Sequence, residues 1–363
     1  VASSEAIAIT GYGMRTAVGN DAVQTASAVR AGISRFASWE PIGVAFEEAA
    51  GVNASALPEG SADEPWVAKA SELVSLPLHE ALWSAGVYDF ALLRAAFPRA
   101  RVGAYVATPY PDRTGVSPEA FRLFGLEARE HCISPARADH VTIVPTEHTA
   151  GITALDRAAA DLRAGKVDYA VVGALDSLLH ADYLKKLWAD GRLKLPGQSD
   201  GLVPGEAGAV AILERESDAR LRRAPIFGWI GAAAVDREAI PLGPDHPIRA
   251  EAASRVVRAA LEANAAGRAP QRAIVDLSGE RWRSIEWALV ETRCMGGLSM
   301  AGWRLWHPAD CLGDVGAATG LVHLVLALRA FARGYGGDGA ILLVSASERG
   351  ERSAMCVFPP AEG

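Results

Sequence analysis

His148 lies in the polar run Thr146, Glu147, His148, Thr149, and Ile152, Leu155, Ala159 and Leu162 follow it at helical spacing. That spacing predicts a helix with one apolar face beginning after Thr149. The first four backbone N–H groups of such a helix lack intrahelical partners, and its aligned peptide dipoles place partial positive charge at the same end. A nucleophile or an anion is stabilised there, so His148 stands where chemistry is expected. A second polar group, Glu280, Arg281, Trp282, Arg283 and Glu286, follows a strand-like run. Its arginines could grip an anionic ligand or a partner through bidentate contacts. The competing reading is an internal salt-bridge cluster.

The elements that must position these side chains alternate along the chain. "AIAITGYGM", "RVGAYVAT", "VDYAVVGAL", "GAVAILE", "RAIVDLSG" and "GAILLVSAS" read as strands between Ala-, Leu- and Arg-rich helical stretches, the pattern of an α/β protein. From Ser34 to Trp66 periodicity is weak and Pro77 is expected to interrupt the helical run from Trp66 to Ala85, so loops and broken helices are expected there. "REAIPLGPDHPIRAE" reads as a surface excursion with a solvated His246.

The chain has 363 residues, 50% of them hydrophobic, enough for a large core or two fused halves. Acidic residues outnumber basic ones, 43 to 36, and no Lys/Arg run is interleaved with aromatics, which argues against nucleic acid as a partner. No apolar run approaches the roughly 20 residues that span a bilayer, so neither a membrane partner nor a membrane location is expected, and a cytoplasmic protein is. Cys132, Cys294, Cys311 and Cys356 are scattered without CxxC spacing, which supports neither a zinc site nor a disulfide framework. No metal or other cofactor is expected.

Two segments resemble each other. "EHTAGITALDRAAADLRAGKVDYAVVGALDS" and "LGDVGAATGLVHLVLALRAFARGYGGDGAILLVSASE" share a polar start, small residues, a helix and a strand. Duplicated halves related by a pseudo-twofold place one helix start near the other, which makes Asp314 a candidate neighbour of His148.

A duplicated chain that opens with "ITGYGMRTAVGNDAVQTASAVRAGISRF" and carries "SDGLVPGEAGAVAILE" resembles the β-ketoacyl synthases of the thiolase superfamily. In the second stretch Asp200, Gly201, Val203, Gly205, Glu206 and Gly208 match the family's D-G-F-V-x-G-E-G-A-G segment. The resemblance spans nearly the whole chain. It implies an α/β thiolase fold of five layers, αβαβα, with pseudo-duplicated halves over 1–225 and 226–363, and a role in the sphere of fatty acid or polyketide biosynthesis.

The same comparison implies that the condensing machinery is gone. Family members use a cysteine in T-A-C-S-S-S, and the matching residues are Thr146 to Gly151, with His148 in place of the nucleophile. Two histidines that stabilise the developing negative charge correspond to Ser278 in "VDLSG" and Asp314 in "LGDVGAATG". The family's lysine falls at about Ala309, its paired threonines at "GERWR" and its oxyanion loop at "SASERG".

Without a thiolate, decarboxylative condensation is not expected. The leading expectation is a non-condensing accessory or partner protein, a pseudoenzyme on a ketosynthase scaffold. Chain-length factors illustrate one such role, which implies a heterodimer with a ketosynthase-like chain or a homodimer, and an acyl carrier protein as a further partner. "VDLSGERWRSIEW" with "LGDVGAATG" also resembles short, cysteine-less ketosynthase-like proteins of type VI secretion loci, which implies a secretion-system component as partner. The alternative is an acyltransferase or a thioester or ester hydrolase, since Ser278, His148 and Asp314 are the side-chain types of a hydrolytic triad. His148 as a helix-start residue bonded to Asp314 or Glu147 is the simpler reading. Cys311, three residues before Asp314, is either a relocated nucleophile or a buried thiol, and the absence of a nearby base favours the thiol. Glu280, Arg281, Arg283 and Cys311 complete the set of candidate ligand- or partner-binding residues. A triad would place Ser278 Oγ about 3 Å from a His148 nitrogen in an open pocket, whereas a sealed His148–Asp314 pair favours a non-catalytic protein.

Overall fold

In the computed structural model the described residues are 5–39, 52–57, 66–87, 100–116, 138–239, 247–263, 270–295 and 303–360. The strands are β1 (Ile7–Thr16), β2 (Ala37–Trp39), β3 (Val52–Ala54), β4 (Val102–Thr108), β5 (His140–Pro145), β6 (Tyr169–Ser177), β7 (Glu206–Arg215), β8 (Gly228–Arg237), β9 (Arg272–Val275), β10 (Arg304–Trp306), β11 (Ile341–Ala346) and β12 (Glu351–Phe358). The helices are α1 (Ala22–Arg30), α2 (Trp66–Ser84), α3 (Ala150–Arg163), α4 (Ala181–Ala189), α5 (Glu216–Leu221), α6 (Glu251–Glu262), α7 (Arg281–Cys294), α8 (Ala309–Leu312) and α9 (Thr319–Ala332).

Ten strands form one continuous ladder in the order β10-β9-β11-β12-β8-β1-β7-β6-β4-β5. Strand β1 is the junction, antiparallel to β7 along its length and to β8 only over Ile7–Ile9. On each side of that junction the strand order and directions repeat. β4 is parallel to β5 and β6, and β6 is antiparallel to β7, just as β9 is parallel to β10 and β11, and β11 is antiparallel to β12. The duplication read from the sequence is therefore visible in the sheet topology.

Apolar burial divides the protein into layers. The central core joins Ile152, Leu155 and Leu162 of α3 to Leu321, Leu324 and Leu328 of α9 and to inward-facing residues of both sheet halves. Leu73, Leu78 and Leu82 of α2 cover the outer face of the first half, and Val256 and Val257 of α6 with Trp287 and Val290 of α7 cover that of the second. The result is the five-layered αβαβα arrangement.

The two central helices meet at a pair of glycines. A Cβ on Gly151 would lie 3.0 Å from Gly320 Cα, and one on Gly320 would lie 3.1 Å from Gly151 Cα. This reciprocal contact brings the two helix starts together across the pseudo-twofold.

Pro77 does not break its helix, contrary to expectation, because α2 runs through it from Trp66 to Ser84. Proline at 77 removes the N–H that would bond the Leu73 carbonyl, and that carbonyl lies against Gly208 on β7, where a Cβ would come within 1.8 Å of it. Burial of the helix face against side-chain-free strand positions outweighs the lost bond. Strands β2, β3, β5, β8, β10 and β12 were not anticipated, and β2 and β3 form a small sheet of their own within the stretch expected to be loops and broken helices. Cys132, His246 and residues 40–51 and 58–65 of the 34–66 stretch lie outside the described residues. Among the described residues Cys294, Cys311 and Cys356 form no disulfide, and no helix is long and apolar enough to cross a membrane.

Candidate functional site

The chain enters α3 through a 3₁₀ turn, Glu147–Thr149, and enters α9 through a matching turn, Gly316–Ala318. His148 sits in the first turn, and Asp314 lies just ahead of the second. The Gly151–Gly320 crossing brings them into contact, with His148 Nε2 2.7 Å from Asp314 Oδ1. Both residues are only 3% exposed. Asp314 is anchored further through its backbone, which donates to Val203 O at 2.7 Å and accepts from Gly205 N at 2.8 Å. The "DGLVPGEAG" segment thus acts here as a clamp on the Asp314 loop.

Arg283, from the first turn of α7, completes the group. Its Nη1 donates to Asp276 Oδ2 at 2.6 Å and to Ala346 O at 2.8 Å, and its Nη2 lies 3.1 Å from His148 Nε2. A proton on Nε2 makes the contact to Asp314 a hydrogen bond and leaves the arginine as a neighbouring donor. Burial disfavours the imidazolium, but Asp314, aided by Asp276 and opposed by Arg283, holds the His148 pKa above its ordinary value. Burial likewise opposes the Asp314 carboxylate, yet His148, Arg283 and the Gly316 N–H hold its pKa well below the usual carboxylate range. Each partner therefore favours the charged form of the other.

Ser278 takes no part in that pair. It is half-buried, and its Oγ has no hydrogen-bond partner among the described residues. His148 Nδ1 and His323 Nδ1 are likewise buried without a partner. These residues line one void of about 20 Å³ with Asp276, Leu312, Asp314 and Thr319. Such a volume admits about one water molecule and no acyl chain.

Next to the site lies a second buried network. Arg113 pairs with Asp176 at 2.8 and 2.5 Å and with Glu147 at 3.1 Å. Glu147 adopts φ of +53°, a conformation L residues rarely take, while its carboxylate accepts from Tyr110 N at 3.2 Å and from Arg113. Burial pushes its pKa up to about 7, with Arg113 opposing and Asp176 adding to the rise. Ser347 ties in the loop after β11, accepting from Thr149 N at 3.1 Å and donating to Thr146 O at 2.5 Å.

The remaining candidates are engaged mostly inside the protein. Glu280 accepts from Arg192 at 2.7 and 3.0 Å, and Glu286 accepts from the buried Arg352 at 2.8 Å through both carboxylate oxygens. Arg281 has an exposed side chain, and its backbone N–H donates to Asp200 at 2.7 Å. Cys311 is buried, and burial, with Asp310, raises its thiol pKa. Sequence reasoning missed Arg113, Asp176, Asp276, His323 and Ser347. Asp176 and Asp276 carried a usable signal, an acid at the end of a buried apolar strand.

These assignments predict how stability responds to pH. His148 has a raised folded pKa, so its contribution is complete below 6.5 and is lost as pH rises through the folded value. Glu147 acts in the same direction between 4.5 and about 7. His323, which burial holds at about 4, acts oppositely, losing its contribution as pH falls below 6.5. Asp314 loses its contribution only as pH falls below 3.8. The melting temperature should therefore decline from pH 6.5 towards 9, and His148→Gln should flatten that decline. A wild-type profile that is level over this range would refute the ion-pair assignment.

The comparisons with known proteins fit this architecture. Residues 140–219, from β5 through α5, match the family described as Beta-ketoacyl synthase, N-terminal domain. The spectinabilin polyketide synthase system protein NorA' of Streptomyces orinoci is 33% identical over 123 residues, covering 32% of this chain and 3% of that protein. The chain thus spans a small part of the curated relative it matches. Among solved structures, the AntDE:AntF complex, described as a type II polyketide synthase acyl-carrier protein with its ketosynthase bound to the hexaketide, matches with TM-score 0.80 and 17% identity, covering 99% of this chain and 100% of that one. The ishigamide ketosynthase/chain length factor matches with TM-score 0.76 and 16% identity, also covering 99% and 100%. At such identities the structural likeness speaks to the fold, and the kinship rests on the matched residues. The chain is a β-ketoacyl synthase-like protein with the thiolase fold.

Proposed function

We propose that this protein is a non-condensing accessory on a ketosynthase scaffold, acting as the partner of another chain in the manner of a chain-length factor. The observation that carries this reading is the closed His148–Asp314–Arg283 group. At the position matching the family's nucleophile stands a histidine ring held 2.7 Å from a carboxylate, beside a void of about 20 Å³. A histidine whose Nε2 proton is committed to Asp314 neither attacks a thioester nor accepts a proton at that nitrogen. Strand β5 lies at one end of the ladder and pairs only with β4 among the described residues, which offers a partner strand a free edge. An acyl carrier protein or a secretion-system component fits the same accessory role. A cytoplasmic setting belongs to this reading as well.

A second reading keeps Ser278, His148 and Asp314 as the catalytic residues of an acyltransferase or hydrolase, because all three line one void. Native mass spectrometry with a panel of acyl and malonyl thioesters separates the two. The accessory reading expects no covalent mass gain, no thioester hydrolysis and a concentration-dependent mixture of monomer and dimer. An adduct abolished by Ser278→Ala or Cys311→Ala would overturn it and name the nucleophile. A homodimer that persists at all concentrations would count against the heterodimeric role.

A further inference from the structure

A larger cavity, about 520 Å³, lies between α1, β10 and the segment leading into α8. Its size falls in the range of small-molecule sites, roughly 300–1,000 Å³. The walls are mainly apolar, with Val29, Leu305, Trp306, Leu326 and Tyr335 among them. The Trp306 and Tyr335 rings stand 5.9 Å apart at a 53° tilt, an aromatic corner on one side.

Against this apolar wall the cavity gathers positive charge. Arg272 on β9 and Arg304 on β10 are register partners in a parallel pair and both line the cavity, with the Arg272 guanidinium 5.9 Å from the Trp306 ring centroid and Arg304 Nη1 donating to Trp303 O at 2.9 Å. Like charges on paired strand positions repel, an arrangement that an anion between them relieves. Arg272 Nε is buried without a hydrogen-bond partner among the described residues. Arg30 lies 4.1 Å over the Tyr335 ring. Of the nearby acids, Asp310 is engaged by His307 Nδ1 at 2.7 Å, and Asp338 offsets part of the charge on Arg272.

We propose that this cavity binds a carboxylate with an apolar body, the body lying against Trp306 and Tyr335 and the carboxylate between Arg272 and Arg304. Bidentate arginine geometry suits a carboxylate, and the aromatic corner suits a ring or an acyl chain. Burial, then the neighbouring Arg304, depresses the Arg272 pKa, with Asp338 opposing, and an anion between the two arginines would offset the depression further. The cavity lining includes none of His148, Ser278 and Asp314, although Pro308 lines both spaces, and the proposal stands whether or not the protein is an accessory.

Isothermal titration calorimetry with 2-naphthoate, dodecanoate and the uncharged 2-naphthol tests the assignment on the full chain. At least one acid should bind, the tighter of the two identifying the body as aromatic or aliphatic. The double variant Arg272→Gln, Arg304→Gln should weaken that acid tenfold or more and leave 2-naphthol unchanged, with a melting curve confirming the fold. Val29→Trp, which fills cavity space and keeps both arginines in the sequence, should abolish binding. The proposal is overturned if the acids fail to bind at millimolar concentration, if 2-naphthol binds as tightly as 2-naphthoate, or if binding survives both variants.

Discussion

Arg283→Leu should lower the unfolding free energy by about 3–5 kcal/mol in urea denaturation, the usual cost of removing one partner from a buried ion pair. The arginine is 2% exposed and stands between two carboxylates from different parts of the chain. It donates to Asp276 at 2.6 Å, and its Nη2 lies 3.9 Å from Asp314 Oδ2. Leucine fills most of the volume and leaves Asp276 with the Ala346 N–H at 2.7 Å as compensation. Asp314 keeps His148 and the Gly316 N–H at 2.9 Å, so the larger share of the loss should fall on Asp276. A companion variant, Asp276→Asn in the Arg283→Leu background, should recover part of the loss, since it removes the stranded charge. A loss below about 1 kcal/mol for Arg283→Leu would mean that water reaches the cluster and that the site is not sealed.

The second large effect concerns the helix crossing. Gly151→Ala and Gly320→Ala should each destabilise the protein by about 1–3 kcal/mol, the usual cost of overpacking. Each added methyl would meet backbone of the opposite helix at 2.9–3.1 Å, and backbone cannot rotate away as a side chain can. Because both changes push the same two helices apart, the double variant should lose less than the sum of the singles. The displacement should also lengthen the His148–Asp314 contact and shrink the alkaline decline in melting temperature. Additive losses with an unchanged pH profile would show that the crossing does not set the pair.

Much of the fold was legible because local patterns carry it. Six strands announced themselves as apolar runs, and the helix after Thr149 by its spacing, with α3 observed over Ala150–Arg163. The strands that escaped lacked those patterns. β8, "GWIGAAAVDR", is rich in glycine and alanine, weak strand formers, and is only partly buried. β12, "ERSAMCVF", looks polar at its start because Arg352 is buried there, neutralised by Glu286 from another helix. No periodicity within β12 reveals a partner 66 residues away.

The sequence by itself determined the thiolase-like layers, the internal repeat and the neighbourhood of His148 and Asp314, since a duplicated strand order constrains where equivalent helix starts must meet. Only the tertiary structure decided what that neighbourhood is. It placed Arg283 beside the pair, left Ser278 Oγ without a hydrogen bond and reduced the space between them to about 20 Å³. Periodicity reports which face of an element is buried. Distances between side chains at 148, 278, 283 and 314 depend instead on how closely two halves pack, and here the contact between Gly151 and Gly320 sets that approach.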